Sequence, residues 1–493
     1  MNDNLRLIIA FILVMLVLFV WQLLVPKPHP VASPSQPKPE MKTESTATNP
    51  VTNPLDLTAI TSAPPIKETI LTLENAYLKL TVSNYNAQIK SAYLKRYHAE
   101  LVDKEISLIT DSAPRVYNVI YQDPQTIIFQ DRGLQITYQL DADYTLTVSI
   151  SAPGESKITF DYTGGLALTE KNPKDELRHF SVFYHHSART NKKGASRLKP
   201  TELDSITWAG LRSKYFTSIL SIKPSWGKIK IMPLADGRIG YSLVTAAPNT
   251  LQAKMYFGPL DYELLRRSRD GWETVMDLGW TKVFSIAILK LIKFLYSLVK
   301  NYGVAIIIFA LLMKGIFYPL TRMSTKQMRQ MQLLQPKLEE LKRRYKDDPQ
   351  ALNRETMQLY RLYKINPFTG CLPLLFQLPI FWALYSVLQR AIELRGARFV
   401  FWIKDLSLKD PYYILPILMG GSFLIQNFLS SADRRNMALL IFMPIFLTVI
   451  FLNFPSGLQL YWFIFNLLSI FESIIASKGG SLWTKTKTLA PKN

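Results

Sequence analysis

The feature that most constrains this chain is a set of long apolar segments confined to its last 200 residues. Each segment lies near the lower length limit for a helix that crosses a bilayer. Short spans imply either a locally thinned bilayer or helices that cluster. The sequence therefore predicts five membrane-spanning helices in this region, at residues 301–320, 371–388, 412–428, 437–453 and 458–476.

A further span is predicted at the N-terminus. Within residues 1–25, the run from Leu5 to Val25 is almost wholly apolar and is interrupted only by Arg6 and Gln22. This run is longer than the core of a typical signal peptide, and no small-residue cleavage site follows it. We expect an uncleaved signal anchor, which makes six spans in all. Residues 26–65 contain ten prolines among Ser, Thr and Lys, a composition typical of an extended linker.

Residues 66–280 have the character of a soluble domain. Apolar and polar residues alternate over 134–140 and again over 144–150, with a turn at Asp141–Asp143 between them. Such alternation predicts two half-buried strands in a hairpin. The pattern recurs at 78–82 and at 229–231. Roughly 200 residues of such strands indicate a large β-sandwich.

Four lysines mark residues 281–300 as an amphipathic helix. Lys282, Lys290, Lys293 and Lys300 fall within about 80° of one helix face, and the opposite face is apolar. A helix lying on the membrane surface fits this pattern. The alternative is an ordinary amphipathic helix packed on the soluble domain.

Residues 321–366 form a basic segment with eleven Lys or Arg against five acidic residues. Apolar residues at helical spacing occur on both sides of Asp347-Asp348-Pro349, which predicts an antiparallel helical hairpin. Asp348 can cap a second helix that begins at Pro349. Lys342, Arg343 and Arg344 are the candidate residues for recruiting a partner or a substrate.

Net charge and its distribution predict the orientation. The chain carries a net charge of +21, and much of it flanks the apolar segments, as expected of a topology signal rather than a nucleic-acid footprint. With six spans, the hairpin, the short loop with Arg434 and Arg435, and the basic tail 477–493 fall on one side. The positive-inside rule makes that side the cytoplasm, with both termini there and the β-domain outside. The loop 389–411, with five basic and three acidic residues, opposes this assignment but has the weaker bias.

The informative chemical groups are polar residues inside apolar segments. Lys314 lies within a predicted span, where a charge costs about 2.5–3.5 kcal/mol, so it is expected to face a cavity or a partner. The alternative is snorkelling to the cytoplasmic surface. Glu472 is the only acidic candidate to pair with it, although we expect a solvated carboxylate there. The remaining polar residues could form hydrogen bonds between helices or line a hydrated cavity. They are Gln377, Gln426, Asn427, Gln459, Asn466 and Ser469.

No pattern of an enzyme or of a cofactor site is found in the sequence. The five histidines are scattered apart from the pair His185-His186, which has no carboxylate or third ligand at useful spacing for a metal. Cys371, the one cysteine, is interpreted as a small buried hydrophobe. We therefore expect no catalytic residue, no metal, no cofactor and no small-molecule substrate.

Several sequence strings together resemble the YidC insertases of Gram-negative bacteria, and the resemblance covers nearly the whole chain. Mitochondrial and chloroplast insertases share the five-span core of that family. The matching strings occur in the order of the family: Lys314-Gly315, Tyr318-Pro319-Leu320-Thr321, Leu334-Gln335-Pro336-Lys337, Asn366-Pro367, Gly370-Cys371, Pro373, Gln377-Leu378-Pro379-Ile380-Phe381, Asp410-Pro411-Tyr412-Tyr413-Ile414-Leu415-Pro416 and Phe454-Pro455-Ser456-Gly457-Leu458.

The resemblance implies a bacterial inner-membrane protein with a periplasmic domain similar to the galactose-mutarotase β-supersandwich. It also implies a hydrophilic groove open to the cytoplasm, where Lys314 stands in place of the family's usual arginine. Gln377, Gln426, Asn427, Asn466 and Ser469 would line that groove. Tyr461 and Trp462 occupy positions where the family often has two tyrosines, and they are the expected substrate contacts. The implied partners are nascent membrane proteins, the ribosome, the Sec translocon and the lipid bilayer.

The expected function is therefore insertion and folding of nascent inner-membrane proteins, alone or with the Sec translocon. A secondary transporter that uses Lys314 as a coupling charge is the main alternative. It predicts inverted repeats among the spans, and none is visible in the sequence. A membrane-anchored carbohydrate enzyme is a second alternative. It needs a His–carboxylate pair, for which His179, His185 and His186 are available but unmarked.

Overall fold

The computed structural model describes residues 68–110, 115–153, 157–223, 227–246, 249–363, 365, 372–430 and 437–478. The predicted signal anchor 1–25, the linker 26–65, Cys371 and the short loop 431–436 lie outside the described residues, as does the tail from residue 479. The chain divides into two compact units, Met1–Gly258 and Pro259–Asn493.

The described part of the first unit is built from antiparallel strands, a short α-helix, α1 (Pro173–Leu177), and a 3-10 helix at Ala195–Arg197. Strands β1 to β4 form one sheet in that order, and the others belong to a 13-stranded sheet in which β11 and β12 branch from β13. The strands are β1 (Ile70–Glu74), β2 (Leu78–Ser83), β3 (Ile89–Leu94), β4 (Ala99–Glu100), β5 (Ser107–Thr110), β6 (Asn118–Gln122), β7 (Thr126–Asp131), β8 (Leu134–Leu140), β9 (Thr145–Ser151), β10 (Lys157–Tyr162), β11 (Ser181–His186), β12 (Arg189–Gly194), β13 (Thr201–Arg212), β14 (Phe216–Lys223), β15 (Gly227–Pro233), β16 (Ile239–Ala246) and β17 (Thr250–Pro259).

The alternating sequences form strands where they were predicted. In β8 the apolar residues are buried and the polar ones are more exposed, and β8 pairs with β9 through the register Tyr138↔Val148. The two sheets contact each other through side chains. Tyr138 Oη donates to the carbonyl oxygen of Ala87 at 2.6 Å, and the rings of Tyr77 and Tyr144 lie 5.3 Å apart. The predicted hairpin and β-sandwich are therefore confirmed.

The second unit is helical, and its core is formed by apolar residues from α3, α4, α6, α7, α8 and α9 and from the segment between α6 and α7. Short 3-10 helices occur at Trp272–Met276, Gly279–Thr281 and Ile392–Leu394. The described helices of this unit are α2 (Tyr262–Arg267), α3 (Lys282–Val299), α4 (Tyr302–Arg344), α5 (Pro349–Leu362), α6 (Leu372–Arg390), α7 (Ile414–Ser430), α8 (Met437–Phe451) and α9 (Ser456–Lys478).

Helix α4 corrects a predicted boundary. The sequence analysis ended a span at residue 320 and began a separate hairpin at 321, but one helix runs through both for 43 residues. Pro319 and Pro336 lie inside it without ending it. The residues after Thr321 are mostly Met, Lys, Gln, Leu, Glu and Arg, which are strong helix formers, so the helix continues. The predicted span and the first arm of the predicted hairpin thus belong to one continuous helix.

The second arm of the hairpin begins where the sequence predicted. Asp348 caps α5, since its side chain accepts hydrogen bonds from the amides of Gln350 and Ala351, and Pro349 is the first helical residue. The two arms meet near Lys337, whose ammonium group donates to Tyr363 Oη.

Helix α3 has one buried apolar face and one exposed apolar face. Ile288 and Ile292 lie in the core of the helical unit, whereas Val283 and Phe294 are exposed on the opposite side. Lys293 lies 2.7 Å from Glu393. Burial acts to lower the pKa of Lys293, but the nearby carboxylates outweigh this effect and raise the pKa. An exposed apolar stripe on a helix fixed by its other face is the arrangement expected of a helix that lies on a membrane surface.

Two of the described helices are long and apolar enough to cross a membrane by length and composition. They are Tyr302–Met328, with a mean hydropathy of 2.1, and Ser456–Ile475, with a mean hydropathy of 1.5. Ile414–Leu429 and Leu440–Phe451 are shorter apolar helices. The six-span arrangement stays a prediction.

Candidate functional site

Helix α9 carries Gln459, Asn466 and Ser469, more of the polar residues predicted inside spans than any other described helix. It packs most extensively against α7 and α4. Asn466, Ser469 and Ser473 recur at intervals of three and four residues, so they lie on one face of the helix. This polar stripe interrupts an otherwise apolar helix, which is the feature that makes the region a candidate site.

The start of α9 is held by the loop between α6 and α7. Ser456 donates through its amide and its hydroxyl to the carbonyl oxygen of Leu408, both at 2.7 Å. In the same loop, Asp410 is fully buried and accepts hydrogen bonds from Trp402 Nε1, Tyr412 N and Leu415 N. Sequence reasoning noted Asp410 only within a family string and missed this role, because its donors are revealed only by the fold.

Lys314 of α4 ends among side chains of α9. Its Nζ lies 2.7 Å from Glu472 Oε2, donates to Ser469 Oγ at 2.9 Å and sits 5.1 Å from the centre of the Phe465 ring. The lysine side chain is 11% exposed. Of the two interpretations that the sequence left open, the structure favours a partner inside the protein over snorkelling to solvent.

Glu472 corrects a second expectation. The sequence predicted a solvated carboxylate near the end of the last span, yet the side chain is only 18% exposed and pairs with Lys314. The Thr321 hydroxyl lies within hydrogen-bonding range of two acceptors, Tyr318 O at 3.1 Å and Glu472 Oε1 at 3.3 Å. An ion pair offsets part of the desolvation of both charges, which explains why both can be buried here.

A second polar contact joins α9 to α7. Asn466 is buried, and its Nδ2 donates to Ser422 Oγ at 3.2 Å and to the carbonyl oxygen of Met419 at 3.5 Å. Gln426 lies one turn beyond Ser422 on α7, and its Oε1 is buried with no hydrogen-bond partner among the described residues. Asn427 is half-buried beside it. A buried acceptor without a protein partner is a position where water can bind.

A third contact joins α9 to α6. Gln377 Nε2 donates to Tyr461 Oη at 2.7 Å, and both side chains are buried. The sequence analysis placed Tyr461 among residues that face a substrate, whereas the structure buries its ring completely in the core of the helical unit. Its hydroxyl group accepts from Gln377 within the protein, so Tyr461 does not offer an exposed contact for a substrate.

Trp462 lies in a cluster of aromatic rings. Its ring is 6.2 Å from that of Phe381 and 5.7 Å from that of Phe451. The side chain is half-buried, and Nε1 has no hydrogen-bond partner within the described part of the chain. The residues predicted to line a groove thus form separate contacts, each of which involves α9. Lys314, Asn466 and Gln377 each bond to a different set of atoms.

The three basic residues proposed for recruitment lie at the end of α4. Lys342, Arg343 and Arg344 are exposed. Arg344 Nη2 lies 3.2 Å from Glu340 Oε1, but both side chains are mostly exposed, so the pair contributes little and leaves the patch basic.

The histidines of the β-domain have structural contacts. The ring of His185 stacks on Trp208 at 5.9 Å, and His186 Nδ1 lies 2.8 Å from Asp204 O. Within the described residues there is no group of three or more His, Cys, Asp or Glu side chains that could hold a metal ion.

Comparison with known proteins identifies both units. Residues 294–481 match the family described as "60Kd inner membrane protein", and residues 128–291 match the family described as "YidC periplasmic domain". The chain is 33% identical to the "Membrane protein insertase YidC" of Geobacter sulfurreducens over 441 residues, covering 80% of this chain and 83% of that protein. It is 30% identical to the protein of the same name from Geotalea uraniireducens, covering 96% of this chain and 99% of that protein.

A solved structure is also similar. The "Active YidC insertase crystal structure with the first transmembrane domain resolved" is 18% identical, covers 83% of this chain and 94% of that chain, and has a TM-score of 0.41. The sequence matches, which extend over both units, are the stronger finding. They place this inner-membrane chain, with its β-sandwich domain, in the YidC family of membrane protein insertases.

Proposed function

We propose that this chain inserts nascent membrane proteins into the inner membrane, and that the polar face of α9 guides the polar flank of a substrate. The observation that carries the proposal is the buried cluster of Lys314, Ser469 and Glu472 between two apolar helices. Charged groups inside a span are expensive and usually functional. A pair of charges at this depth offers a substrate flank hydrogen-bonding partners where lipid offers none.

The proposed mechanism is physical rather than chemical. An apolar segment of the substrate moves along the lipid-facing surface near Trp462 while its short polar flank passes the α9 face. Gln426, with its unpaired buried acceptor, and half-buried Asn427 support hydration of that face. The barrier that falls is the desolvation of unsatisfied polar groups in hydrocarbon. Burial of the substrate's apolar segment in lipid then drives the reaction.

Reconstitution of the full chain in liposomes tests the proposal. A short single-span substrate is synthesised in vitro in the presence of these liposomes, and insertion is measured as protection of its translocated flank from added protease. We expect several-fold more protection than with empty liposomes. Equal protection in both would reject the insertase function.

Recruitment of a ribosome by the hairpin gives a separate prediction. Ribosomal RNA is a large anionic surface, so the exposed basic residues at the end of α4 should attract it. We expect the triple change Lys342→Glu, Arg343→Glu and Arg344→Glu to weaken ribosome binding at least about tenfold at low salt, with a smaller effect at high salt because ions screen the charges. Co-sedimentation with ribosomes measures this binding.

A control for the charge change uses the β-domain. Lys228 and Lys230 are exposed on β15, and changing both to Glu should leave ribosome binding unaltered. If the hairpin variant binds as well as the parent chain at low salt, electrostatic recruitment by this segment is wrong.

Insertion should not require the β-domain. All the polar contacts of α9 are formed within the unit that begins at Pro259. Deleting residues 70–258 should therefore leave at least about half of the insertion rate in the liposome assay, since a separate domain folds around its own core. Complete loss in a deletion variant that is stably produced and retains its helical circular dichroism would contradict this expectation.

Cooperation with the Sec translocon is a further part of the proposal. It rests on the family alone, and it is tested by copurification of the translocon with the full chain from membranes.

A further inference from the structure

The ammonium group of Lys314 has a complete set of partners inside the protein. A lysine has three N–H donors. In the described residues these donors face the carboxylate of Glu472, the hydroxyl of Ser469 and the ring of Phe465. An acidic group on a substrate therefore cannot simply add to Lys314, because it has to take the place of one of these partners.

Glu472 is the partner that a substrate carboxylate would replace. It has the same functional group as an acidic flank, and its side chain is partly exposed. Ser469 is less suited to leave, since its hydroxyl also donates to the carbonyl oxygen of Phe465 within α9 at 2.9 Å. A displaced Glu472 carboxylate can keep the Thr321 hydroxyl and add water.

The position of Glu472 also affects how the two helices hold together. Its two oxygens face Lys314 and Thr321, which are two turns apart on the same side of α4. The Glu472 carboxylate on α9 thus contacts two residues of α4. While it is in place, the pair has no net charge, and the attraction for an acidic flank is correspondingly weak.

We propose that Glu472 is a specificity-determining residue that competes with substrate carboxylates for Lys314. The proposal rests on the insertase function and deepens it. Glu472 holds Lys314 until an acidic flank displaces it, so the site accepts acidic, neutral and basic flanks with little discrimination. The partly exposed carboxylate of Glu472 also attracts the cationic group of a basic flank.

Substitution of Glu472 by glutamine separates this proposal from a structural role. Glutamine keeps the shape and a hydrogen-bond acceptor but leaves Lys314 charged and unpaired. We expect the ratio of insertion rates for acidic-flank to neutral-flank substrates to rise about fivefold, which corresponds to about 1 kcal/mol. The ratio for basic-flank to neutral-flank substrates should fall. A merely structural role would lower all three rates together and leave both ratios unchanged.

The experiment uses the full chain in liposomes with three single-span substrates that differ only in the flank: two Asp, two Asn or two Lys. The matched control is Glu263→Gln, which removes a carboxylate from the exposed pair with Lys290 and should leave the ratios unaltered. Glu472→Asp keeps the charge but shortens the side chain, and it should raise the acidic-to-neutral ratio less than Glu472→Gln does. It serves as the test variant if Glu472→Gln does not fold.

The outcomes separate the two proposals. If the unchanged protein inserts all three substrates and Glu472→Gln leaves the ratios within twofold, the competitor role is overturned and the insertase function stands. If the unchanged protein inserts none of them above empty liposomes, both proposals fail.

Discussion

Replacing Lys314 with glutamate is expected to abolish insertion and to lower the free energy of unfolding by about 3 kcal/mol. The new carboxylate would lie against Glu472, at the place where an ammonium group now sits 2.7 Å away. Like charges at this distance in a partly buried site repel strongly. Lys314→Arg should retain near-normal insertion, because the position and the sign of the charge are kept.

Lys314→Leu has a consequence that sequence reasoning alone would misjudge. It leaves the Glu472 carboxylate without its cation, so the variant loses stability as well as charge. We expect insertion of a substrate with an acidic flank to rank Lys ≈ Arg > Leu > Glu at matched protein levels. The double variant Lys314→Leu/Glu472→Leu removes both charges and should regain stability without regaining the rate for acidic flanks.

The exchanged pair Lys314→Glu/Glu472→Lys is the sharpest control. It restores an ion pair between α4 and α9, so the unfolding temperature in detergent should be close to that of the unchanged protein. Insertion rates in liposomes, measured beside the unfolding temperatures, then report whether the place of the positive charge matters. Should Lys314→Leu insert acidic-flank substrates at the normal rate, the charge has no part in the mechanism, and the other polar residues must hydrate the path.

The second large effect is expected at Asp410. This carboxylate is fully buried and accepts three hydrogen bonds, from Trp402 Nε1 at 3.0 Å, Tyr412 N at 3.0 Å and Leu415 N at 2.7 Å. Asp410→Ala leaves all three donors without an acceptor, and each buried unsatisfied donor costs about 1–3 kcal/mol. We expect a loss of about 3 kcal/mol or more in the free energy of unfolding, and a smaller loss for Asp410→Asn, which keeps one acceptor oxygen.

Thermal unfolding in detergent measures this loss, and the expected fall in Tm for Asp410→Ala is about 6–12 °C. Asp347→Ala is the matched control, because Asp347 is exposed in the turn between α4 and α5. Insertion should fall together with stability, since the loop of Asp410 also holds the first residues of α9. If Asp410→Ala has the same Tm as the control, the stability of the loop does not depend on this carboxylate.

Features that depend on local periodicity are predictable from the sequence. Alternation along residues 134–140 predicts a strand in any fold that buries one of its faces, and the register of β8 with β9 agrees with it. The cap of α5 at Asp348 depends on residues at most three positions apart. The apolar length of the spans and the presence of a lysine inside one of them are likewise properties of short segments.

Contacts between distant polar residues depend on how the helices pack. Lys314 and Ser469 are 155 positions apart in the chain, and their contact depends on the rotation of α4 and α9 about their axes and on their relative shift. No local pattern encodes either quantity, so the sequence predicted a solvated carboxylate at Glu472 and a substrate contact at Tyr461. Packing of α9 against α4 places the Lys314 ammonium group beside Glu472, and packing against α6 places the Gln377 amide beside Tyr461. A buried polar group persists only where a neighbouring element supplies its partner.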